Sequence, residues 1–269
     1  MASRNALLWE IHSKNIFKGY IFGTMHVPID VAFSDFGRLK VAIDECDIFA
    51  PEIPLHSDAQ QKMGGHVNLP NDLKISTLLS ARKYEKYKAI LGKSFGLNLE
   101  LFDKMLPLFL LNYMTQQALS TKADNPVNTM DFQLWSYAES VERELSSMES
   151  MDDHIQTLNQ ISLDYQLRSL GSALSNVSKF RSKTFQLLDL YQNQEIHKLY
   201  KLSKKSIGSI KDVLLYSRNH KMAANFAQLS TTKSVFAAVG AAHLSGKNGL
   251  LHLLNNKGYR LSPVKFDLR

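Results

Sequence analysis

Two histidines, His26 and His243, follow the same phrase at opposite ends of the chain. The first stands in GYIFGTMHVPID and the second in SVFAAVGAAHLSG, and in both an apolar run ends at a glycine that precedes the histidine by three positions. A polar residue just beyond the carboxyl end of a buried strand lies where open α/β sheets bind their ligands. If the two strands are neighbours, both imidazoles converge. The repeated phrase therefore makes these histidines the first candidates for chemistry.

A carboxylate ends a third apolar run in the same way. Glu52, in FAPEI, follows a short apolar segment and is expected to reach the same edge of a sheet. Two imidazoles and a carboxylate form a ligand set used by catalytic zinc, manganese and iron(II) sites. The carboxylate is equally suited to act as a general base. The sequence leaves both roles of Glu52 open.

Arg218 and Asn219, in LLYSRNHKMAANF, interrupt an apolar helical pattern with a fixed cation and an amide. An arginine in such a position is suited to hold an oxyanion or a substrate carboxylate. The other histidines stand in helical or turn-rich contexts without the repeated phrase and are interpreted as surface residues: His12, His56, His66, His154, His197, His220 and His252.

The elements that must position these residues come from the two ends of the chain. Alternating or apolar runs predict strands at LLWEI, GYIFG, DIFAPEI, SVFAAVG and YRLSPVKF, with helices between them. From about 71 to 228, apolar residues at spacings of three and four predict a mostly helical region. We therefore expect an α/β fold whose mainly parallel or mixed sheet is formed by both chain ends, with a large helical insertion between them.

The expected organisation is a single domain over residues 1–269, with its core in 6–55 and 230–269. The stretch HSDAQQKMGGHVNLPND is predicted to be a loop that leaves the core, because Gly64 and Gly65 favour a turn.

Composition excludes several classes of protein. The single cysteine, Cys46, rules out a disulfide framework and cysteine-rich metal sites, and we interpret it as a buried spectator. The net charge is +7, but Lys and Arg are scattered and no recognition motif accompanies them, so we expect no nucleic-acid partner. No apolar stretch is long enough to cross a bilayer. The start, MASRNALLWEI, has no signal-sequence pattern. The oligomeric state is not indicated.

The chain resembles the TraB/GumN family, bacterial relatives of the Tiki proteases. The resemblance covers nearly the whole chain, tightly at both ends and more loosely between. It is carried by LLWEI, YIFGTMHVPID, IFAPEI, KMLP, NTMDFQLWSYA, LSSMES, YSRNHKMA and VGAAHLSGKNGLLHLLNNKGYRLSPV.

The resemblance implies a fold similar to that of the erythromycin esterase and ChaN proteins, with a cleft at the rim of a central sheet. It implies metal-dependent hydrolysis of a peptide or protein substrate, with manganese or cobalt as the divalent metal ahead of zinc. It also favours a location outside the cytoplasm, as a periplasmic or membrane-anchored protein before processing.

The resemblance also assigns roles by position. Arg218 falls on the family's Arg-Asn phrase, with Asn219, and both are expected in the catalytic site beside Glu52. Asp131, in NTMDFQLW, matches a Gly-x-Asp phrase, although Thr129 stands where glycine is usual. The expected metal-binding positions are His26, His243, Glu52 and Asp131.

Three functions remain as expectations from the sequence. The first is a metallohydrolase that acts on peptides, with Arg218 steadying the developing oxyanion. The second is a ChaN-like protein that binds haem or another small ligand, with a histidine as axial ligand. The third is a metal-free, esterase-like hydrolase in which a histidine activates water directly.

Overall fold

The computed structural model describes residues 5–27, 29–32, 36–119 and 129–265. The strands are β1 (Leu8–Ser13), β2 (Ile16–Thr24), β3 (Ile48–Pro51), β4 (Glu144–Leu145), β5 (Val235–Gly240) and β6 (Arg260–Val264). The helices are α1 (Ile29–Ala32), α2 (Gly37–Asp44), α3 (Ser57–Gly64), α4 (Ile75–Leu78), α5 (Ala81–Phe95), α6 (Pro107–Leu119), α7 (Met130–Ser140), α8 (Met151–Asn159), α9 (Leu163–Ser175), α10 (Val177–Gln192), α11 (Ile196–Ile207), α12 (Arg218–Leu229) and α13 (Leu250–Asn256).

The six described strands form one mixed sheet in the order β4-β3-β5-β2-β1-β6. The pairs β2 with β5, β3 with β5 and β3 with β4 are parallel, whereas β1 runs antiparallel to β2 and β6. The prediction of an α/β fold with a mixed sheet from both chain ends is confirmed. The edge strand β4 comes from the middle of the chain and was not predicted, because two residues are too few to carry a strand pattern.

The central strand β5 is buried along most of its length. Its residues from Val235 to Val239 are fully buried, as expected for a parallel strand covered on both faces. Phe236 of β5 stacks on Phe49 of β3, with ring centroids 5.7 Å apart and planes inclined by 15°. The residues that follow these strands are therefore attached to closely packed elements.

The described residues divide into two compact units. One contains the sheet and the helices that cover it, within 5–55, 129–157 and 187–265. The other is helical, within 56–119 and 158–186. The helical middle of the sequence thus contributes to both units. Cys46 is a buried free thiol in the sheet unit, and burial raises its pKa to about 12.

The helical unit has a hydrophobic core of its own, which includes the fully buried Leu91, Leu110 and Leu170. The loop predicted after His56 is wrong in its first half, because Ser57–Gly64 forms α3. The ring of His56 accepts a hydrogen bond from the backbone N–H of Ala59 and so caps this helix. Histidine is an uncommon cap, which is why the sequence did not suggest a helix here.

No helix within the described part of the chain is long and apolar enough to cross a membrane.

Candidate active site

The three strands that precede the candidate residues are neighbours in the sheet and run in the same direction. In β2 and β5, Thr24 pairs with Gly240, and in β3 and β5, Pro51 pairs with Ala238. The carboxyl ends of these strands therefore meet at one edge, which is the position where open α/β sheets carry their sites. His26, Glu52 and His243 each follow one of these ends.

The glycine of each repeated phrase allows a close approach. A Cβ on Gly23 would stand 2.7 Å from a side-chain carbon of Leu244, and one on Gly240 would stand 3.1 Å from Oε2 of Glu52. Neither glycine has a positive φ. The glycines thus make room for the loop after β5 and for a carboxylate.

His243 lies in a 3-10 turn, Ala241–His243, and is 4% exposed. Its Nδ1 is 2.6 Å from Oδ1 of Asn219, whose Nδ2 donates to the carbonyl of Asn248 at 2.6 Å. Because the amide oxygen of Asn219 must accept, Nδ1 of His243 carries the proton and Nε2 carries the lone pair. Burial lowers the pKa of His243 to about 4, so its ring is neutral near pH 7.

Glu52 is a buried carboxylate with a partner for each oxygen. Oε2 accepts from the backbone N–H of Gly240 at 2.8 Å and lies 3.7 Å from Nε2 of His243. Oε1 accepts from Arg218 at 2.6 Å. Burial alone would raise the pKa of Glu52, but the guanidinium of Arg218, together with His243, His26 and the backbone N–H of Gly240, holds that pKa well below its ordinary value. Glu52 is therefore ionised across the physiological range.

Arg218 links two buried carboxylates. In addition to its bond with Glu52, it donates from Nε at 2.9 Å and from a terminal nitrogen at 2.6 Å to Oε2 of Glu149. The residues just before it, Asp212–Ser217, form a π-helical turn that leads into α12. Turns of this kind recur at functional sites, where the extra residue reorients the side chains that follow. The arginine predicted from the sequence is thus buried and forms ion pairs with two carboxylates, Glu52 and Glu149.

Glu149 and His154 belong to this cluster, and sequence reasoning missed both. Glu149 is 1% exposed, and its Oε1 has no hydrogen-bond partner among the described residues. Nδ1 of His154 lies 3.4 Å from Oε2 of Glu149 and 3.2 Å from Arg218, with its side chain 16% exposed, so its interpretation as a surface residue was wrong.

A signal for Glu149 existed in the sequence. It follows β4, which runs parallel to β3, as Glu52 follows β3 itself. The two-residue length of β4 hid this repetition.

His26 has a different environment from His243. Its side chain is 58% exposed, and its Nδ1 lies 3.0 Å from Oδ2 of Asp131. The other oxygen of Asp131 accepts from the hydroxyl of Thr24 at 2.7 Å. The charge of Asp131 raises the pKa of His26 to about 9, against the opposing effect of desolvation. The proton on Nδ1 faces the carboxylate, so Nε2 is again the atom turned away from it.

Asp131 stands in the first turn of α7, and the local backbone explains why glycine is not needed before it. Thr129 is the N-cap residue with φ of −74° and ψ of 154°, an extended conformation open to any residue. The N–H of Met130 donates to the carbonyl of Val27 at 2.8 Å, which ties the start of α7 to the segment after His26. Although Thr129 replaces the glycine of the family phrase, Asp131 still faces His26.

The electrostatics connect the two histidines. The charge of His26 lowers the pKa of both Glu52 and His243. The charge of Glu52 raises the pKa of both histidines. Within the described residues, however, no three or more His, Cys, Asp or Glu side chains are already gathered as a metal-binding group. The donors share an edge of the sheet without forming a closed coordination sphere.

The chemistry of the donors nevertheless fits a divalent ion. Metal-binding histidines usually donate their second ring N–H to a neighbouring carboxylate or amide-type oxygen, as His26 and His243 do here. The 3.7 Å between Nε2 of His243 and Oε2 of Glu52 is close to the separation of about 3–3.5 Å expected for two ligands of one ion.

The TraB/PrgY/gumN family profile matches residues 7–263 of the sequence. The chain belongs to this family. The matched range contains every residue of the site described above.

Two curated relatives of this TraB/PrgY/gumN member are similar over almost its whole length. Metalloprotease TIKI1 of Danio rerio is 21% identical, with 96% of this chain and 63% of the relative aligned. A Metalloprotease TIKI homolog of Amphimedon queenslandica is 22% identical, with 98% of this chain and 62% of the relative aligned. The chain thus spans less than two thirds of the length of these relatives. No solved structure matches it significantly.

Proposed function

We propose that this protein is a metal-dependent hydrolase of peptides, with a divalent ion held by Nε2 of His26, Nε2 of His243 and the carboxylate of Glu52. The observation that carries the proposal is the matched orientation of the two rings. Each has Nδ1 engaged by a polar side chain, and this leaves Nε2 of both histidines as the donor atom at the edge where ionised Glu52 lies. The similarity to two metalloproteases supports the same reaction class.

The bound ion would supply Lewis acidity for the attack of water on a peptide carbonyl. The chain's own residues prepare the site for it. Asn219 fixes the His243 tautomer, and Asp131 does the same for His26. Arg218 keeps Glu52 charged, so the carboxylate meets a cation without first losing a proton.

These contacts refine the roles expected from sequence. Both oxygens of Asp131 are engaged by Thr24 and His26, so we assign Asp131 to positioning His26 in preference to direct ligation. Arg218 is engaged by two carboxylates, so we assign it to holding Glu52 in preference to an oxyanion contact. Manganese or cobalt remains our proposal for the metal ahead of zinc on the family resemblance, since two imidazoles and a carboxylate are a ligand set that zinc also uses.

The first test is metal content and peptidase activity of the wild-type chain purified without chelator. We expect one divalent ion per chain, and hydrolysis of a quenched fluorescent peptide library that chelator removes and manganese restores. His26→Ala and His243→Ala should each bind manganese at least about tenfold more weakly. His66→Ala, an exposed histidine of the helical unit, is the matched control and should bind normally. Hydrolysis unaffected by chelator would favour the metal-free alternative, and bound metal without hydrolysis would refute the peptidase assignment.

Glu52→Gln separates the two roles of this residue. As a ligand, the amide would be a poorer, uncharged donor, so manganese affinity should fall together with activity. If Glu52 is instead a general base, the variant should bind manganese nearly as tightly as the wild type while its turnover falls about 10²–10⁴-fold. Calorimetric titration of manganese beside the peptidase rate decides between them. We expect loss of affinity, since two histidines alone leave the ion with too few protein donors.

A further inference from the structure

A cavity lies in the sheet unit, beside the segment that follows His243. It has a volume of about 840 Å³ and is lined by β1, β6, α11, α13 and the loop 244–247. This volume lies in the range of about 300–1,000 Å³ that is typical of small-molecule sites. None of the residues assigned above to the candidate active site lines it.

Part of the lining of the cavity is apolar. Trp9 is 6% exposed and pairs with Pro263 across β1 and β6, and its indole N–H donates to the carbonyl of Ala6 at 2.8 Å. Leu251 and Leu261 complete this part of the lining. A flat indole beside aliphatic side chains is a surface that accommodates the apolar part of a ligand.

Other residues of the lining are polar. Buried Ser245 is hydrogen-bonded to the ring of His197, and the next residue, Gly246, has φ of +97°. A Cβ on Gly246 would stand 2.6 Å from the ring of Tyr200, so the loop packs closely against α11. This packing fixes the loop that carries Lys247 into the lining of the cavity.

The charges of the lining have one sign. Lys201 and Lys247 line the cavity with the imidazoles of His197 and His252, and the lining contains no Asp or Glu. Neither lysine makes an ion pair with any residue that the structure describes, whereas Lys221 and Lys233 elsewhere on this unit do. A cavity that combines two uncompensated ammonium groups with an apolar wall is complementary to an amphiphilic anion.

We propose that this cavity binds a small organic anion with an apolar tail, its acidic head near Lys201 and Lys247 and its tail against Trp9. The binding site requires neither the metal nor the hydrolytic activity proposed above. It can therefore be tested on the metal-free chain.

The probe is octyl phosphate at submicellar concentration, titrated calorimetrically into the full-length protein. We expect saturable one-to-one binding. Octanol and octyltrimethylammonium should bind at least about tenfold more weakly, since they lack the anionic head. Inorganic phosphate, which lacks the tail, should also bind more weakly.

Lys201→Glu combined with Lys247→Glu should weaken octyl phosphate binding at least about tenfold, because two attractive charges become repulsive. Lys257→Glu makes the same charge change at an exposed lysine outside the lining and should alter affinity by less than about twofold. Binding of octyl phosphate that survives the double variant, or equal binding of octanol, would overturn the assignment of an anion site. Absence of octyl phosphate binding to the wild type would overturn it as well.

Trp9 provides a second, local readout. The sequence contains two tryptophans, so Trp135→Phe leaves Trp9 as the sole indole fluorophore. Octyl phosphate should change the emission of Trp9 with the same dissociation constant as calorimetry gives. Calorimetric binding without any change in Trp9 emission would move the ligand out of this cavity and so refute the proposal.

Discussion

The two Gly-x-x-His phrases read alike but fold into opposite environments. His243 is 4% exposed with its pKa lowered by burial to about 4, whereas the His26 side chain is 58% exposed with its pKa raised by Asp131 to about 9. One ring is held by a neutral amide and the other by a carboxylate. In the metal-free protein, therefore, His243 is neutral and His26 is cationic at neutral pH.

Because of this difference, the two histidines are not equally prepared to bind a cation. The His243 side has its unprotonated donor atom ready, and the buried ion pairs of Arg218 with Glu52 and Glu149 support it. The His26 side must release a proton before its ring can bind a cation. The same Gly-x-x-His spacing thus gives one preorganised half and one half that responds to its surroundings. Substitutions at the residues that hold each ring test this asymmetry.

The largest effect is expected for Arg218→Met. Removal of the guanidinium leaves Glu52 and Glu149 buried without their cation, which should lower the free energy of unfolding by about 3–5 kcal/mol. Urea denaturation of the wild type and the variant measures this. The matched control is Lys221→Met on the same helix, whose exposed pair with Asp153 is worth less than about 1 kcal/mol. Similar losses in both variants would show that the His243 side has no special electrostatic support.

The second effect contrasts the two histidines directly. His243→Ala leaves the buried amide oxygen of Asn219 without its donor and should cost about 1–3 kcal/mol. His26→Ala removes a largely exposed ring and, above pH 9 where that ring is uncharged, should cost less than about 0.5 kcal/mol. The melting curves of the two metal-free variants give the comparison. Equal costs would mean that the two phrases are supported alike, and the proposed asymmetry would be abandoned.

The layout of the sheet was largely accessible from the sequence. The strands of both chain ends carry dense apolar runs, and the parallel pairing of β2 with β5 follows the expectation that the repeated phrases end at one edge. Two features were not accessible. The strand β4 is too short for a pattern, and α3 begins at a histidine cap.

The composition of the site was only partly accessible. His26, Glu52 and His243 were identified because each follows a recognisable strand. Glu149 and His154 were missed because their roles depend on burial against Arg218, which is distant in sequence. The opposite charge states of the two histidines were also beyond the sequence, since they arise from side chains on α7 and α12 that tertiary packing brings to each ring.

The third prediction concerns the pH dependence of stability in the metal-free protein. The folded state binds the His26 proton more tightly than the unfolded state, so this stabilisation is complete below pH 6.5 and is lost as pH rises toward 9. His243 has the opposite sign, because its pKa is depressed. Its stabilisation is present above pH 6.5 and is lost as pH falls toward 4.

Urea titrations at intervals between pH 4 and pH 9 test both windows. His26→Ala should flatten the alkaline limb of the stability profile and leave the acid limb intact, and His243→Gln should do the reverse. A variant that flattens both limbs would show that the two rings titrate as one unit.

The sharpest effect on protonation, and the smallest effect on stability above pH 9, is expected for Asp131→Asn. The amide keeps a polar group beside His26 but removes the charge that raises the pKa of this ring. The pKa of His26 should fall from about 9 toward 6.5, so stability near pH 7 should fall by linkage, whereas above pH 9, where the ring of the wild type is also uncharged, stability should change by less than about 0.5 kcal/mol. NMR titration of the histidine ring signals in the metal-free protein follows both histidines at once. Asp152→Asn removes an exposed carboxylate on α8 and is the control, which should shift the pKa of neither histidine.

If the pKa of His26 stays near 9 without the Asp131 charge, a different group holds its proton. If His243 shifts with it, the two phrases do not form separate halves of the site, and the asymmetry on which the other predictions depend is lost.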